Sequence, residues 1–223
     1  MFHWIRKLLD RQALDELAGL FEVASFSSGR STAKGHAQAV KHNEQMDDSA
    51  QKTRAAEIIT EALARNDHFQ NVVLPHRISR PAFSRYHPGM EYGLHVDAAF
   101  SGSQRDAVRR DVSVTVFLSD PATYHGGELV VCTSLNDQMF KLPRGDALVY
   151  PTSALHRVAR VEAGQRLAAV LWVESRIRDG RKREILADVE RVRRRVATLD
   201  PEGLEADLAQ KVHSNLMRLW DGD

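Results

Sequence analysis

The sequence predicts a mainly β core with flanking helices, an α+β fold. Between about residue 73 and residue 175, short β-like runs follow one another, separated by Gly, Pro and Asp turns and without helical segments between them. On both sides of this zone, apolar residues recur at the spacing of a helix. Consecutive short strands without intervening helices favour an antiparallel sandwich or barrel over a parallel α/β sheet.

Composition limits the class of protein. The 223 residues are 43% hydrophobic, which gives enough apolar surface to bury a core. Lys and Arg number 31 against 30 Asp and Glu, so bulk charge does not indicate binding to a polyanion. The single cysteine, Cys132, excludes an internal disulfide, a Cys-based zinc finger and an iron–sulfur cluster.

No segment predicts a membrane span or export. The longest apolar run, residues 167–173, is far shorter than the roughly 18 residues that a membrane span needs. The first residues soon become charged and do not form the apolar stretch of a signal peptide. We therefore expect a cytoplasmic protein without membrane contact.

Two helices are predicted before the β zone. Residues 10–23 and residues 50–65 each carry apolar side chains at helical spacing. The polar segment between them, residues 25–49, is expected to contain a loop. A phosphate-binding loop is not predicted there, because Lys34 precedes Gly35 instead of following it.

Six strands are predicted within the β zone from alternating polarity, β-branched residues and flanking turn residues. His-Pro-Gly follows the first of these strands, and Gly-Gly precedes the third. Their predicted bounds are 82–86, 111–118, 128–133, 147–150, 156–161 and 166–174.

The C-terminal part of the chain is predicted to form two helices. Apolar residues recur at helical spacing over residues 185–196, and a Thr-Leu-Asp-Pro sequence then ends the helix. Asp200 is the predicted N-cap of the second helix, with Pro201 in its first turn. The apolar face of the second helix covers residues 204–219. We expect this hairpin to pack on the core or to pair two chains as a homo-oligomer.

The side chains that point to chemistry centre on His95 and Asp97. Residues two apart on a strand project to the same side, so this imidazole and this carboxylate converge on one point. His156, at the far side of the β zone, is the best candidate for a third ligand. Two histidines and one carboxylate leave three positions of an octahedral metal open, which suits non-haem Fe(II) better than four-coordinate zinc. A His-x-Asp sequence alone is a weak motif, because such a pair also hydrogen-bonds in ordinary turns.

Arg166 adds a second element to this pattern. Arg166, Ala168, Val170 and Trp172 share one face of their predicted strand by alternation. At the solvent edge of a sheet, the arginine would need no special explanation. Inside a barrel it would require a carboxylate, which a dicarboxylate cosubstrate supplies in bidentate geometry.

Together these residues resemble the Fe(II)/2-oxoglutarate-dependent dioxygenases of the prolyl 4-hydroxylase type, and more narrowly the bacterial PKHD-type hydroxylases. His95, Asp97, His156 and Arg166 match the order of the functional residues in that family. The resemblance extends over nearly the whole chain. Further matching segments are residues 29–33, 126–129, 143–150 and 215–220.

The resemblance implies a double-stranded β-helix, or jelly-roll, domain at residues 78–176. It also implies a helical/β support region at residues 1–77 and a helical extension at residues 177–223.

The same resemblance implies roles for individual side chains. His95, Asp97 and His156 would hold Fe(II), and Arg166 would pair with the distal carboxylate of 2-oxoglutarate. Tyr86 matches the tyrosine before Pro-Gly that helps to bind the cosubstrate.

One position departs from the family pattern. Where some prolyl hydroxylases have a second tyrosine, this chain has Phe117. The polar partner of the 2-oxoglutarate tail therefore stays open between Tyr86, Thr115 and Tyr150.

The implied reaction is hydroxylation of a substrate by O2, coupled to oxidative decarboxylation of 2-oxoglutarate to succinate and CO2. L-Ascorbate is a further cofactor that the resemblance suggests. The substrate is open between a prolyl or lysyl peptide and a small molecule, and a link to iron uptake is suggested for members of this group.

Two other functional classes are compatible with the residues. The first is a non-enzymatic jelly-roll module that senses iron or a small acid. The second is an oxygenase acting on nucleic acid through the basic segment at residues 176–195. Because that segment has few aromatic residues among its charges, we expect it to be the solvated face of a helix without a nucleic-acid partner.

The remaining polar candidates lie in loops. Gln104, Arg105, Arg109 and Arg110 follow Asp97 at the expected mouth of the site, where they would either select substrate or form a solvated lid. His125 is expected to be a surface turn residue, and the other histidines outside the pattern to be structural or exposed.

Overall fold

The computed structural model describes residues 2–102 and 107–222. Gln104 and Arg105, which the sequence places at the mouth of the site, lie outside these residues. The α-helices are α1 (Arg11–Val23), α2 (Gly35–Ala39), α3 (Ala50–Arg65), α4 (Asp67–Val73), α5 (Gly180–Leu199) and α6 (Leu204–Trp220). The strands are β1 (His3–Ile5), β2 (Phe26–Ser28), β3 (Lys41–His42), β4 (Glu44–Met46), β5 (Pro75–Ile78), β6 (Ala82–Tyr86), β7 (Glu91–His95), β8 (Phe100–Ser101), β9 (Val108–Arg109), β10 (Val112–Phe117), β11 (Tyr124–Gly126), β12 (Leu129–Cys132), β13 (Asp137–Phe140), β14 (Ala147–Pro151), β15 (His156–Val158), β16 (Val161–Gly164) and β17 (Arg166–Ser175).

Two antiparallel sheets form the core of the molecule. The larger sheet has the strand order β1-β14-β10-β17-β6-β4-β2, and β5 also pairs with β17. The smaller sheet has the order β13-β12-β15-β7-β3. All described strand pairs are antiparallel, including the two short pairs β11–β16 and β8–β9. The predicted mainly β core with flanking helices is therefore confirmed.

Strand β17 shows how alternation along one strand builds two layers. Ala169, Leu171 and Val173 are fully buried in a core that the larger sheet shares with α1, α3 and α4. Burial of Leu171 or Val173 contributes roughly 1.5–3 kcal/mol relative to the exposed side chain, and burial of the single methyl group of Ala169 contributes less, about 0.8 kcal/mol. The alternate residues Arg166, Ala168, Val170 and Trp172 face the space between the two sheets, which agrees with the alternation predicted from the sequence. That inner space holds the candidate functional residues.

The segment at residues 25–49 is more structured than the loop that the sequence predicts. It contains β2, a 3₁₀ turn at Gly29–Thr32, α2, β3 and β4. Strand β4 pairs with β6 in the larger sheet, and β3 pairs with β7 in the smaller one. Very short edge strands give little sequence periodicity, which is why tertiary pairing decides their structure.

The C-terminal helices differ from expectation at their junction. Helix α6 begins at Leu204 with Gly203 as its N-cap residue, so the prediction of Asp200 as the N-cap is wrong. The backbone N–H of Asp200 instead closes the end of α5 on Val196, and Gly203 N–H donates to the carbonyl of Asp200. Pro201 therefore sits inside a turn, where its fixed φ angle is also favourable.

A buried carboxylate supports the helical hairpin. Glu190 of α5 accepts hydrogen bonds from Arg193 and Arg194, and His213 of α6 lies 3.8 Å away. Arg183 is also buried and donates to the carbonyls of Ile177 and Arg178. Part of the basic segment at 176–195 therefore has internal structural partners.

The predicted apolar face of α6 does not pack on the sheets. It is exposed, together with a row of apolar residues on α5. The exposed members are Ile185, Val192, Leu199, Leu204, Leu208, Val212 and Leu219. None of the helices described in residues 2–102 and 107–222 has the length and apolar content required to traverse a membrane.

Candidate metal centre

Two histidines lie side by side on adjacent strands of the smaller sheet. His95 ends β7, and His156 begins β15, and these two residues are direct partners in the antiparallel register. Directly opposed residues on one face of an antiparallel pair lie close together. Their ring centroids are 4.3 Å apart, and both side chains are almost fully buried. The fold thus brings together two imidazoles that are 61 positions apart in the sequence numbering.

Asp97 completes the cluster. Its Oδ1 lies 3.9 Å from Nε2 of His95, and its Oδ2 lies 3.7 Å from Nε2 of His156. In the described chain this is the one group of three His, Cys, Asp or Glu residues whose ligand atoms are close enough to share a metal ion, all within 4.8 Å of one another. Two imidazoles and one carboxylate form the donor set typical of non-haem Fe(II), so the residues fit this metal.

Both imidazoles are oriented by backbone carbonyls. Nδ1 of His95 lies 2.8 Å from the carbonyl oxygen of Gly93, and Nδ1 of His156 lies 3.0 Å from that of Ala154. A carbonyl can only accept, so each Nδ1 carries the proton and each Nε2 presents its lone pair to the cluster. Burial and the neighbouring His156 lower the pKa of His95 to about 4, which keeps this imidazole neutral at physiological pH.

The Asp97 carboxylate is held from the larger sheet. Trp172 Nε1 donates to its Oδ2 over 2.8 Å, and Ser113 Oγ donates to the same oxygen over 3.2 Å. Ser113 is itself hydrogen-bonded to Thr152 at 2.9 Å. Because Trp172 and Ser113 are register partners on β17 and β10, one row of the larger sheet positions this carboxylate.

Arg166 lies on the same inner face and is 2% exposed. Its guanidinium carbon is 5.1 Å from the ring centroid of Tyr86 and 5.9 Å from that of Phe117. Its Nε is buried without a hydrogen-bond partner, and no carboxylate of the described residues forms an ion pair with it. A buried guanidinium without an anionic partner is costly, so its surroundings fit a bound carboxylate.

The three alternative candidates for the polar partner of the 2-oxoglutarate tail lie at different places on the inner face. Tyr86 is the register partner of Arg166, and its hydroxyl lies near Asn43 and Ser84. Thr115 pairs with Val170, one row away from the Ser113–Trp172 row. Tyr150 lies beside the metal cluster, with its ring 5.4 Å from the ring of His156. Burial raises the pKa of both tyrosines, so they remain neutral hydrogen-bonding groups.

Sequence reasoning missed two aromatic residues of the site. Tyr124 is almost fully buried, with its hydroxyl next to Arg166, and burial raises its pKa. The ring of Tyr92 stacks on His95, with the centroids 3.6 Å apart. The Gly126-Gly127 pair, two residues after Tyr124, and the spacing of Tyr92 from His95 were the available signals, but neither indicates which way the ring points.

Two cations lie near the cluster: Lys41, which sequence reasoning did not single out, and Arg110, which it placed at the mouth of the site. Lys41 is buried, and its Nζ donates to Thr32 Oγ1 over 2.8 Å. Burial lowers the pKa of Lys41 to about 8, although the nearby Asp97 opposes this shift. Arg110 stacks on the indole of Trp172, with its guanidinium carbon 3.7 Å from the ring centroid. His125 is exposed in β11, as expected, and does not join the cluster.

Comparisons with known proteins agree with this geometry. The family model of the 2OG-Fe(II) oxygenase superfamily matches residues 81–174, which include all four predicted functional residues. A PKHD-type hydroxylase from Synechococcus elongatus is 44% identical over 217 residues, which cover 97% of each chain. A PKHD-type hydroxylase from Thermosynechococcus vestitus is 45% identical over the same length and coverage.

A solved structure supports the fold. A prolyl hydroxylase from Trichoplax adhaerens, solved in complex with a hypoxia inducible factor peptide fragment, superposes with a TM-score of 0.55 at 18% identity. The match covers 77% of this chain and 82% of that one. The shared architecture is the jelly roll of 2OG-Fe(II) oxygenases.

The chain belongs to the PKHD-type hydroxylases of the 2OG-Fe(II) oxygenase superfamily. It is accordingly a 2-oxoglutarate-dependent hydroxylase, and its family implies Fe(II) and 2-oxoglutarate as cofactor and cosubstrate. The expected enzyme class is confirmed over the alternative of a non-enzymatic sensor.

Proposed function

We propose that the protein hydroxylates a C–H bond of its substrate at a centre in which His95, Asp97 and His156 hold Fe(II). The observation that carries this proposal is the buried His-Asp-His cluster on one side of the inner space, with an arginine on the same face that has no ion-pair partner among the described residues and whose Nε has no hydrogen-bond partner. When bound, Fe(II) and 2-oxoglutarate supply the activation of O2 that the side chains cannot provide.

Backbone and side-chain groups have separate roles in this proposal. The carbonyls of Gly93 and Ala154 hold the two imidazoles with Nε2 available for the metal. Trp172 and Ser113 hold the carboxylate of Asp97. The adjoining wall is apolar and buried, which excludes bulk water and protects a reactive centre.

Arg166 binds the distal carboxylate of 2-oxoglutarate in this proposal. The fork of a guanidinium matches a carboxylate in bidentate geometry, and the buried site strengthens the charge-assisted hydrogen bonds. Tyr86 and Tyr124 lie against Arg166 and supply neutral donors beside the same carboxylate. Thr115 and Tyr150 are nearer to the metal cluster, where they bound the rest of the cosubstrate cavity.

Anaerobic spectroscopy tests the metal and cosubstrate assignments. Addition of Fe(II) and 2-oxoglutarate should produce the visible metal-to-ligand charge-transfer band of a chelated 2-oxoglutarate. We expect His156→Ala to lose the band, whereas His125→Ala, a change of an exposed histidine, keeps it. A band of unchanged intensity in His156→Ala, or none in the folded wild-type protein, would overturn the proposal.

The identity of the substrate is proposed only by class. A peptide with a prolyl or lysyl side chain and a small molecule are both compatible with the fold, and a role linked to iron uptake is a further proposal. Mass spectrometry of cell extract incubated with the enzyme, Fe(II) and 2-oxoglutarate decides between a peptide and a small molecule as the substrate. The product must gain one oxygen atom only when 2-oxoglutarate is present.

L-Ascorbate is proposed as a reductant that restores Fe(II) after turnover without substrate. Succinate formation without substrate should then stop early and resume when ascorbate is added. If added ascorbate does not change the time course, this part of the proposal is wrong.

A homo-oligomer in the cytoplasm is likewise a proposal. The exposed apolar row on α5 and α6 supports pairing through these helices, because such contiguous patches mark interaction sites. Light scattering should give the mass of two chains, and Leu208→Glu should give that of one. No nucleic-acid partner is proposed, since several arginines of the basic segment have internal partners.

A further inference from the structure

Arg110 is the residue from which a substrate class can be inferred. It precedes β10, and its neighbour Arg109 points away from the site to Asp111 and Glu174. Arg110 instead lies over the face of Trp172, the residue whose Nε1 holds Asp97. A guanidinium on an indole face is held by a cation–π interaction and keeps its hydrogen-bond donors at its edge available.

The charge of Arg110 is not neutralised within the described chain. Its Nε is buried without a hydrogen-bond partner, and no ion pair joins it to a described carboxylate. Burial lowers the pKa of Arg110, and among the described carboxylates Asp97 is the one whose charge opposes this shift. That carboxylate, however, already accepts from Trp172 and Ser113 and is the proposed metal ligand.

A second cation increases the positive potential at the same place. Lys41 lies on the side of Tyr92 and His95, with its Nζ 5.2 Å from the ring centroid of Tyr92. The charge of Asp97 acts on both Lys41, which belongs to β3, and Arg110, which lies two residues before β10.

The charges of the loaded site do not cancel. Fe(II) and 2-oxoglutarate carry equal and opposite charge, and Asp97 and Arg166 offset one another. Among the residues that the structure describes, Lys41 and Arg110 therefore remain as uncompensated positive groups in a partly desolvated site. Such a field attracts anions and disfavours cationic substrates.

We propose that the substrate carries an anionic group, a carboxylate or a phosphate, and that Arg110 binds this group and so orients the substrate at the metal centre. This inference rests on the proposed function, because it places the substrate beside the His95, Asp97 and His156 cluster. Arg110 is thus a specificity-determining residue, with Lys41 contributing to the field. Binding in bidentate geometry would satisfy the donors of Arg110 that the protein leaves unpaired.

Simple anions test the site without knowledge of the substrate. The enzyme is first loaded with Fe(II) and 2-oxoglutarate under anaerobic conditions, and the charge-transfer band is recorded. Inorganic phosphate, acetate and the neutral acetamide are then titrated separately. We expect phosphate or acetate to shift the band, whereas acetamide leaves it unchanged. Comparison of the phosphate titration with the acetate titration shows whether the site prefers a phosphate or a carboxylate.

Two matched variants identify the residue responsible. Arg110→Gln should keep the band of the loaded enzyme but weaken the anion effect at least tenfold. Arg6→Gln is the control, because Arg6 also stacks on a tryptophan, Trp4, with its guanidinium carbon 4.4 Å from the ring, but at an exposed position elsewhere. It should leave the anion effect unchanged.

The outcomes separate this inference from the proposed function. If the wild-type band never forms, the proposed function fails. If the band forms but the anions act equally on Arg110→Gln, they bind the iron or another site, and the inference is wrong. In a second measurement, the compound of the cell extract that gains oxygen is identified by mass spectrometry, and it should contain a carboxylate or a phosphate group. An oxygen-accepting compound with neither group would also overturn the inference.

Discussion

Trp172 and Asp97 show how a single hydrogen bond can prepare the metal centre. The indole N–H holds one oxygen of the carboxylate while the imidazoles of His95 and His156 are held by backbone carbonyls. Outer hydrogen bonds of this kind orient metal ligands and remove rotational freedom before the metal arrives.

Replacement of Trp172 by phenylalanine removes this hydrogen bond and keeps an aromatic ring. We expect Trp172→Phe to weaken Fe(II) binding by about tenfold to a hundredfold, because the carboxylate loses its best donor. Anaerobic titration with Fe(II) measures the change.

Trp4→Phe is the matched control for this measurement. Trp4 Nε1 donates to Asp146 Oδ2 over 2.7 Å, remote from the cluster. This variant should lose about 1–3 kcal/mol of unfolding free energy and keep its affinity for Fe(II). Equal loss of Fe(II) affinity in both variants would show that general destabilisation, not the orientation of Asp97, was responsible.

Arg166→Gln tests the second half of the site. The variant removes the positive charge that the distal carboxylate of 2-oxoglutarate requires, so we expect the affinity for 2-oxoglutarate to fall by about 1.5–3 kcal/mol, or roughly tenfold to a hundredfold. Fe(II) affinity should change little. Arg85→Gln removes the same charge from the adjoining strand at an ion pair with Glu44, and should bind 2-oxoglutarate normally. Equal losses of Fe(II) and 2-oxoglutarate in Arg166→Gln would mean that its role is misassigned.

At the scale of elements, the strands around the site follow largely from the sequence. Strands β10, β12, β14 and β17 were predicted within one or two residues, because alternation and β-branched residues specify them. The run at residues 156–161 is instead divided between β15 and β16.

The site was predictable only in part. His95 and Asp97 are two residues apart, so their convergence follows from strand geometry, whereas the position of Arg110 depends on how β9 and β10 approach β17. Nothing in the local sequence distinguishes Arg109, which is paired, from Arg110, which stacks on Trp172. Tyr124 was missed for the same reason, since it begins the short strand β11, which pairs with β16 outside the two main sheets, and its contact with Arg166 depends on tertiary packing.

The Gly126–Gly127 turn provides a test at this scale. Gly127 has a φ of +70°, and a Cβ there would lie 3.1 Å from Arg166 Cδ and 3.1 Å from Tyr124 Cε2. We expect Gly127→Ala to lower the melting temperature and to weaken 2-oxoglutarate binding, because the methyl group displaces Arg166.

Gly35→Ala separates these two effects. Gly35 has a φ of +57°, but a Cβ there meets no atom within 4 Å. The variant should therefore have the backbone strain, with a loss of stability of about 1 kcal/mol, and normal 2-oxoglutarate affinity. If Gly127→Ala binds 2-oxoglutarate as well as Gly35→Ala does, the turn does not position Arg166.

At the scale of the whole molecule, the helices cover one face of the larger sheet and leave the other face to form the site. Met46, Ile59, Leu63 and Phe69 are among the buried residues of that outer core. This separation lets the outer layer supply stability while polar groups of the inner layer remain available for ligands.

The contact between β1 and α4 makes this outer layer sensitive to acid. The rings of His3 and His68 meet edge to face, 5.6 Å apart, and burial together with His68 lowers the pKa of His3 to about 4. In the unfolded chain a histidine has a pKa of about 6.5, so the unfolded state takes up the proton first as the pH falls. Stability from this residue is therefore fully present above pH 6.5 and is lost between about pH 6.5 and pH 4.

His3→Gln should reduce this pH dependence. We expect the free energy of unfolding of the wild type to fall by about 1–3 kcal/mol more than that of the variant between pH 7 and pH 4. Urea unfolding at a series of pH values measures the difference. His125→Gln removes an exposed histidine, and its free energy of unfolding should depend on pH as that of the wild type does. If the free energy of unfolding of His3→Gln has the same pH dependence as that of these two proteins, His3 is not the origin of the acid sensitivity.

A crystal structure of the protein grown with Mn(II) in place of Fe(II) and with 2-oxoglutarate tests the assigned site most directly. We predict that one metal ion contacts Nε2 of His95, Nε2 of His156 and a carboxylate oxygen of Asp97, and that the distal carboxylate of 2-oxoglutarate lies on the guanidinium of Arg166. A metal ion bound by other side chains, or a 2-oxoglutarate molecule whose distal carboxylate lies away from Arg166, would contradict it.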